Sequence, residues 1–225
     1  MKINIAIDGP SAAGKSTIAK IAAKQLGYVH LDTGAMYRCC ALKAVRNGLD
    51  LDDEKAVSDM LASTDIVLTS EGIVYMDGED VSEAIRTDEN SLAASRVSQL
   101  KSVRREMVKR QMALAAAKGI IMDGRDIGTV VLPDAELKIF MTASAKARAQ
   151  RRYDQNVAMH LETGSVDEIA KEIEERDHQD MTRKESPLRQ AEDAIVLDTS
   201  NMTIEEAAAF VLAKAEPYVK AGDVE

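Results

Sequence analysis

The sequence predicts an α/β fold, with a central parallel sheet layered between helices, and three observations carry that reading. Five short apolar runs rich in β-branched residues recur along the chain: INIAID at 3–8, YVHLD at 28–32, GIIMDG at 119–124, LKIFMT at 137–142 and AIVLDT at 194–199. Helical patterns separate them, and that alternation indicates parallel strands covered by helices. The first run also passes straight into a glycine-bracketed loop, GPSAAGKST at 9–17, which opens a helix. Ligands of such folds gather at the carboxyl ends of strands, so functional residues are expected just after the five runs.

A chain of 225 residues suits one sizeable core, and 1–225 is read as a single domain. With 45% hydrophobic and 30% charged residues, the composition is that of an ordinary globular protein rather than a disordered one. No apolar run approaches the roughly 18 residues that span a bilayer. The opening MKINIAIDGP becomes a strand too quickly for a signal peptide, so a cytoplasmic protein with no membrane partner is expected. Cys39 and Cys40 are adjacent in a helical stretch, which suits neither a disulfide nor a metal-ligand spacing. They are read as packing thiols of a reducing compartment.

A formal net charge of −9 argues against binding of nucleic-acid polymer, which requires a basic surface. Trp is absent and aromatics are few, so no stacking platform for single strands is expected either. A small anionic ligand remains open, provided that a local knot of arginines receives it. Small-molecule partners and a monomeric state are expected.

The loop at 9–17 fits GxxxxGK[ST] through Gly9, Gly14, Lys15 and Ser16. Glycines at both ends let the backbone curl so that successive N–H groups point inward, forming a nest at a helix N-terminus. Gly9, Pro10, Ser11, Ala12, Ala13, Gly14, Lys15, Ser16 and Thr17 are read as the ATP-binding loop. Lys15 would bridge β- and γ-phosphates, and the Ser16 hydroxyl would ligate Mg²⁺. ATP with Mg²⁺ is the expected ligand on this side, in a P-loop NTPase fold. A glycine-rich turn capping a helix would share the composition, but not the strand–loop–helix context.

One stretch breaks the βα rhythm. Residues 65–81, DIVLTSEGIVYMDGEDV, alternate with period two and turn at MDG, so an inserted antiparallel hairpin is predicted. It lies in an α+β subdomain of about 65–100, inside a wider region, 33–108. Helices are expected before it, over 50–64, and after it, with a break near 100–102. The tail from 198 carries capping residues and early glutamates and is read as a terminal helix. Asp198 to Asn201 are read as that helix's cap, with a part in a base pocket as the alternative.

Three constellations follow strand ends. In LDTGAMYR, Thr33 offers a hydroxyl and Arg38 stands about one turn further on; a helix cap with a surface arginine is the other reading. In GIIMDGRD, the strand ends in Asp123, a carboxylate placed to hold Mg²⁺ or its water shell, and Arg125 and Asp126 follow at once. In the charged segment from 144 onward, Arg148, Arg151 and Arg152 precede a helix in which Arg176, Asp180 and Arg183 share a face. Arginine where lysine would serve solubility equally suggests a short helical lid, with its flanking helices over 152–183, that closes over a phosphoryl group. A solvated, ion-paired helix would look similar. His30, His160 and His178 show no ligand spacing and are read as incidental; no metal beyond nucleotide-bound Mg²⁺ is expected.

Taken in order, GPSAAGKST, HLDTGAMYR, the inserted hairpin, DGRDIGTVVLPDA and ERDHQDMTR resemble the bacterial cytidylate (CMP/dCMP) kinases over essentially the whole chain. The resemblance implies phosphoryl transfer from ATP to CMP or dCMP. It also implies that Arg38 and Arg125 grip the acceptor phosphate beside Thr33. Ser95, Arg104 and Asp126 would face the cytosine, Arg176, Asp180 and Arg183 the ribose and phosphate, and Arg151 the ATP. Lys15, Arg125 and Arg176 would carry catalysis. Cytosine pairs an exocyclic amino donor with ring acceptors, which suits a carboxylate and a cation together. Uracil would leave Asp126 facing an acceptor. Other small-acceptor kinases, for uridylate or shikimate, are the nearest alternatives; a GTP-binding switch would need an [NT]KxD motif, which the sequence lacks.

Overall fold

The computed structural model describes residues 2–69, 72–158 and 163–220, with the side chain of residue 220 left aside. Strand β1 (Asn4–Asp8) feeds helix α1 (Lys15–Leu26), and β2 (Val29–Asp32) follows. Helices α2 (Thr33–Arg46) and α3 (Glu54–Ala62) come next. Three short strands succeed them, β3 (Ile66–Leu68), β4 (Val74–Met76) and β5 (Glu79–Asp80), then α4 (Asp88–Val97) and α5 (Lys101–Ala115). The chain returns through β6 (Ile120–Gly124), β7 (Leu137–Thr142), the helix pair α6 (Ala145–Ala158) and α7 (Val166–Thr182), β8 (Ile195–Asp198) and α8 (Ile204–Lys220).

The five runs predicted as strands form one parallel sheet in the order β2-β6-β1-β7-β8, so the α/β reading holds. Every residue of β1 and β6 is buried, as expected of central strands covered on both faces. β1 sits in the middle, with β6 and β2 on one side of it and β7 and β8 on the other. Such a switch point opens a crevice at the strands' carboxyl ends, just where β1 becomes the glycine loop. On one face α1 and α8 pack through Ile18, Ala19, Ala22, Val211 and Ala215 against Ile5, Ile7, Ile139 and Met141.

Two compact units are distinguishable. The first comprises residues 1–30 and 118–225, the second 31–117. In the second, the period-two stretch forms a three-stranded antiparallel sheet, β3-β4-β5, rather than a two-stranded hairpin. The extra strand arises because Asp77 and Gly78 both take positive φ, 52° and 85°, which reverses the chain within MDG and lets Glu79 and Asp80 pair back. Part of the first turn, residues 70–71, lies outside the described residues. Ala35 and Cys39 of α2 pack on Val74, Met76, Val81 and Ile85. The thiols of Cys39 and Cys40 are buried, and burial pushes both up to about 12. The break expected at 100–102 falls at 98–100, between α4 and α5.

Candidate active site

The glycine loop of the first unit takes the shape its sequence demands. Gly9 has φ 152°, and a Cβ there would stand 1.9 Å from the Met141 carbonyl oxygen of β7, so no side chain fits. Gly14, φ 92°, caps α1, and Lys15 and Ser16 lie in that helix's first turn. Lys15 is buried and donates to the Pro10 carbonyl at 2.7 Å. Burial, with the Arg125 guanidinium adding repulsion, lowers its ammonium to about 7. A buried cation held by the loop's own carbonyl is ready to exchange that partner for phosphate oxygens.

The carboxylate at the end of β6 stands where the sequence places it. Ser16 Oγ donates to Asp123 Oδ2 at 2.7 Å. Its other oxygen shows an interaction that the motifs do not contain: His30 Nε2 lies 2.7 Å from Asp123 Oδ1. His30, read as incidental, therefore touches the Asp123 carboxylate, because β2 and β6 are neighbours in the sheet although some 90 residues separate them in sequence. Burial works to raise the Asp123 pKa, but His30, Lys15 and Ser16 outweigh it and hold the carboxyl below its ordinary value. His178 is exposed, its carbonyl accepting from Thr182 Oγ1; His160 lies outside the described residues.

Arg125, Asp126 and the α7 residues form a second cluster. Arg125 Nε donates to Asp180 Oδ2 at 2.7 Å. Arg183 stands 3.7 Å from Asp180 Oδ1 and 3.6 Å from Asp126 Oδ1. Burial would raise the Asp180 carboxyl, yet the guanidinium groups of Arg125, Arg183 and Arg176 hold it low. Arg183 is the residue that ends α7, with extended backbone, rather than a member of the helical face. The ion pairs gather Arg125, Asp180, Arg183 and Asp126 regardless, because α7 ends beside the end of β6.

Arg148 departs from the expectation of a lid arginine over phosphate. It is buried, donating through Nε to the Ala143 carbonyl at 2.9 Å and through Nη1 to the Ser11 carbonyl at 3.0 Å. Its closest contact is Asp177 Oδ2 of α7, and Asp177 Oδ1 accepts from the Ser11 N–H at 3.1 Å. Arg148 and Asp177 thus bolt the α6–α7 pair onto the glycine loop. Sequence spacing could not reveal this, since the three residues come from separate segments.

A cavity of about 390 Å³ opens beside the loop, lined by Ala12, Gly14 and Thr17, by Arg151 and Gln155 of α6, and by Thr199, Met202 and Ile204. Arg151 Nη1 donates to Thr199 Oγ1 at 3.1 Å, and its Nη2 reaches the Thr199 carbonyl. The residues after β8 accordingly line this cavity. The cap of α8 belongs instead to Thr203, whose hydroxyl accepts from the Glu206 N–H while the Glu206 carboxylate accepts from the Thr203 N–H. Capping was expected one turn too early, because Asp198 folds back on Ser200.

The second unit holds the remaining predicted residues. Asp32, not Thr33, caps α2, accepting from the Ala35 N–H at 3.0 Å; Arg38 lies 3.6 Å from the other Asp32 oxygen. Thr33 is buried in the first turn. Ser95 and Arg104 are joined through Ser98, whose hydroxyl donates to the Ser95 carbonyl and whose carbonyl accepts from Arg104 Nη1 at 3.1 Å. The Arg104 guanidinium lies over the Tyr37 ring, 5.5 Å from its centroid, a contact that the motifs did not single out. Asn90 secures α4 to α2 by donating to the Arg38 carbonyl.

A family model described as cytidylate kinase matches residues 5–217. Curated cytidylate kinases from Caldicellulosiruptor bescii and Listeria monocytogenes are 52% and 50% identical, over 94% of both chains in the first case and 96% of both in the second. Among solved structures, a shikimate kinase from Bacteroides thetaiotaomicron aligns with TM-score 0.50 over 96% of this chain and 99% of its own. A gluconokinase from Sinorhizobium meliloti aligns with 0.51 over 98% and 97%. Both are 12% identical and share the fold alone. With the nucleotide loop, the β6 carboxylate and the arginine cluster in place, and with relatives of half-identical sequence along nearly its whole length, the chain belongs to the cytidylate kinase family.

Proposed function

We propose that the enzyme transfers the γ-phosphoryl group of ATP to CMP or dCMP, yielding ADP and CDP or dCDP. The observation that carries this reading is the side-by-side placement, in the first unit, of Lys15, Ser16 and Asp123 on one hand and Arg125, Asp126, Asp180 and Arg183 on the other. The first set suits a triphosphate; the second suits an anionic acceptor that also carries a hydrogen-bonding base.

An oxygen of the acceptor phosphate, already anionic at neutral pH, forms the new bond to the γ-phosphorus as the bond to the β,γ-bridging oxygen breaks. ADP leaves with that electron pair, and no side chain need take a proton. Catalysis reduces to alignment and neutralisation of charge, the work of Lys15, Arg125 and Arg176. Ser16 and Asp123 supply two adjacent oxygen donors, too few to dehydrate a divalent ion but suited to Mg²⁺ that keeps water and phosphate ligands. Mg²⁺ would supply charge neutralisation at the β- and γ-phosphates. The loop from Gly9 to Thr17 binds the triphosphate, and the 390 Å³ cavity with Arg151 takes the donor's base.

In this proposal Asp126 accepts from the cytosine amino group. Asp180, Arg176 and Arg183 hold ribose and phosphate. The enzyme works as a cytoplasmic monomer without nucleic-acid polymer. ADP release measured over a panel of CMP, dCMP, UMP, AMP and shikimate, with ATP and Mg²⁺, tests the reading. CMP and dCMP are expected to give the highest kcat/KM, and any other acceptor in first place would refute it.

A further inference from the structure

Asp8 ends β1 immediately before the first glycine of the donor loop, and the nucleotide-loop chemistry makes no use of it. Its two oxygens accept from successive backbone N–H groups, Ile127 to Oδ1 at 2.8 Å and Gly128 to Oδ2 at 2.7 Å. Asp8 also lies opposite Gly124 in the β1–β6 ladder. One residue therefore holds the chain on both sides of Arg125 and Asp126. Its backbone secures the strand that precedes them, and its side chain secures the turn that follows.

That turn, Ile127–Val131, is π-helical, a rare form that recurs at functional sites. The Asp126 carbonyl accepts from the N–H groups of Val130 and Val131 at 2.9 and 3.2 Å, which leaves the first N–H groups of the turn in need of acceptors. Two parallel donors in a buried place suit both oxygens of one carboxylate. Gly128 keeps the approach open: a Cβ there would stand 3.4 Å from Asp8 Oδ2 and 3.2 Å from Lys138 Cδ. Burial pushes the Asp8 carboxyl up to about 6, so at neutral pH it is chiefly ionised, a buried charge that a cap of serine or asparagine would have avoided.

We propose that Asp8 is a positioning residue for acceptor recognition: by gripping both flanks of the Arg125–Asp126 pair, it aims the guanidinium and the carboxylate that meet the acceptor and ties them to the donor loop. The proposal rests on the roles given above to Arg125 and Asp126.

Asp8→Asn keeps the shape but turns one oxygen into a donor that faces a donor. Steady-state kinetics of the full chain with CMP and with UMP, and titration with a fluorescent ATP analogue, separate the outcomes. The expected result is a fall of about 10- to 100-fold in kcat/KM for CMP, seen mainly as a raised KM. The preference for CMP over UMP should shrink about tenfold, while affinity for the ATP analogue stays as in the wild type. Unchanged CMP KM and unchanged preference, or a loss confined to ATP affinity, would overturn the proposal, since a merely structural Asp8 lowers Tm without touching selectivity. Asp126→Asn, measured in parallel, isolates the underlying assignment. If it leaves the CMP/UMP ratio intact, the base-reading role of Asp126 fails and Asp8 is judged on CMP KM alone. If Asp126→Asn moves the ratio and Asp8→Asn moves neither quantity, the positioning role fails. Should Asp8→Asn not fold, Asp8→Ser carries the same readouts.

Discussion

The glycine loop and the cluster at the end of β6 lie at the same edge of the same sheet, yet they are built differently. The loop, residues 9–17, makes its site from backbone: the φ values of Gly9 and Gly14 and the start of α1 create the nest. The cluster makes its site from side chains that meet across distant segments, Arg125 with Asp180, Arg183 with Asp126, and Asp8 with the turn after them. A backbone site follows from a local pattern of residue types. A side-chain site depends on which strand ends and helix ends come together.

The sharpest way to break this contrast is at Lys15, the buried cation of the backbone site. Lys15→Met should lower kcat by at least ~10²–10³-fold, as measured by ADP release. The same substitution should stabilise the nucleotide-free fold. A cation whose pKa is lowered to about 7 in the folded state destabilises that state fully below pH 7, and the penalty fades as pH rises from 7 toward the unfolded value of 10.5. The stability gain of Lys15→Met is therefore expected to be largest at pH 6, on the order of several kcal/mol, and to shrink at pH 9. Denaturant melts at the two pH values check the sign.

Next in size is the bolt between the α6–α7 pair and the glycine loop. Arg148→Met leaves Asp177 buried without its cation, and unfolding free energy should fall by about 3–5 kcal/mol. Replacing both partners, Arg148→Met with Asp177→Leu, should recover much of that loss. If the single variant melts like the wild type, the pair is not the anchor described.

At the cluster itself, Asp126→Ala should erode discrimination between CMP and UMP by about 1–3 kcal/mol in relative kcat/KM, the size of a good base-edge contact. The smallest effect is expected at His30. Its contact orients one oxygen of Asp123, so His30→Ala should raise the Mg²⁺ concentration for half-maximal rate by about tenfold and leave CMP KM alone. An unchanged Mg²⁺ dependence would return His30 to the incidental role first given to it.

The two kinds of site also explain which expectations needed correction. A histidine without ligand spacing carries no signal until β2 stands beside β6, so motifs alone leave His30 incidental. Charge alone groups Arg148 with Arg151 and Arg152, but Arg148 turns inward to Asp177 and Ser11. Aspartate and serine favour caps, which points to Asp198–Asn201 for α8, but Asp198 accepts from Ser200, and Thr203 takes the role. Asp8 carries no local signal, because the N–H groups that its carboxylate accepts from lie about 120 residues away.

Local chemistry determined the five strands of the parallel sheet, the loop that opens α1, the β6 carboxylate and the family, because period, glycine placement and motif order are properties of neighbouring residues. Tertiary structure alone decided which buried charges pair. An ion pair or a shared carboxylate depends on through-space distances of a few ångströms, and strand order, not sequence separation, sets those distances.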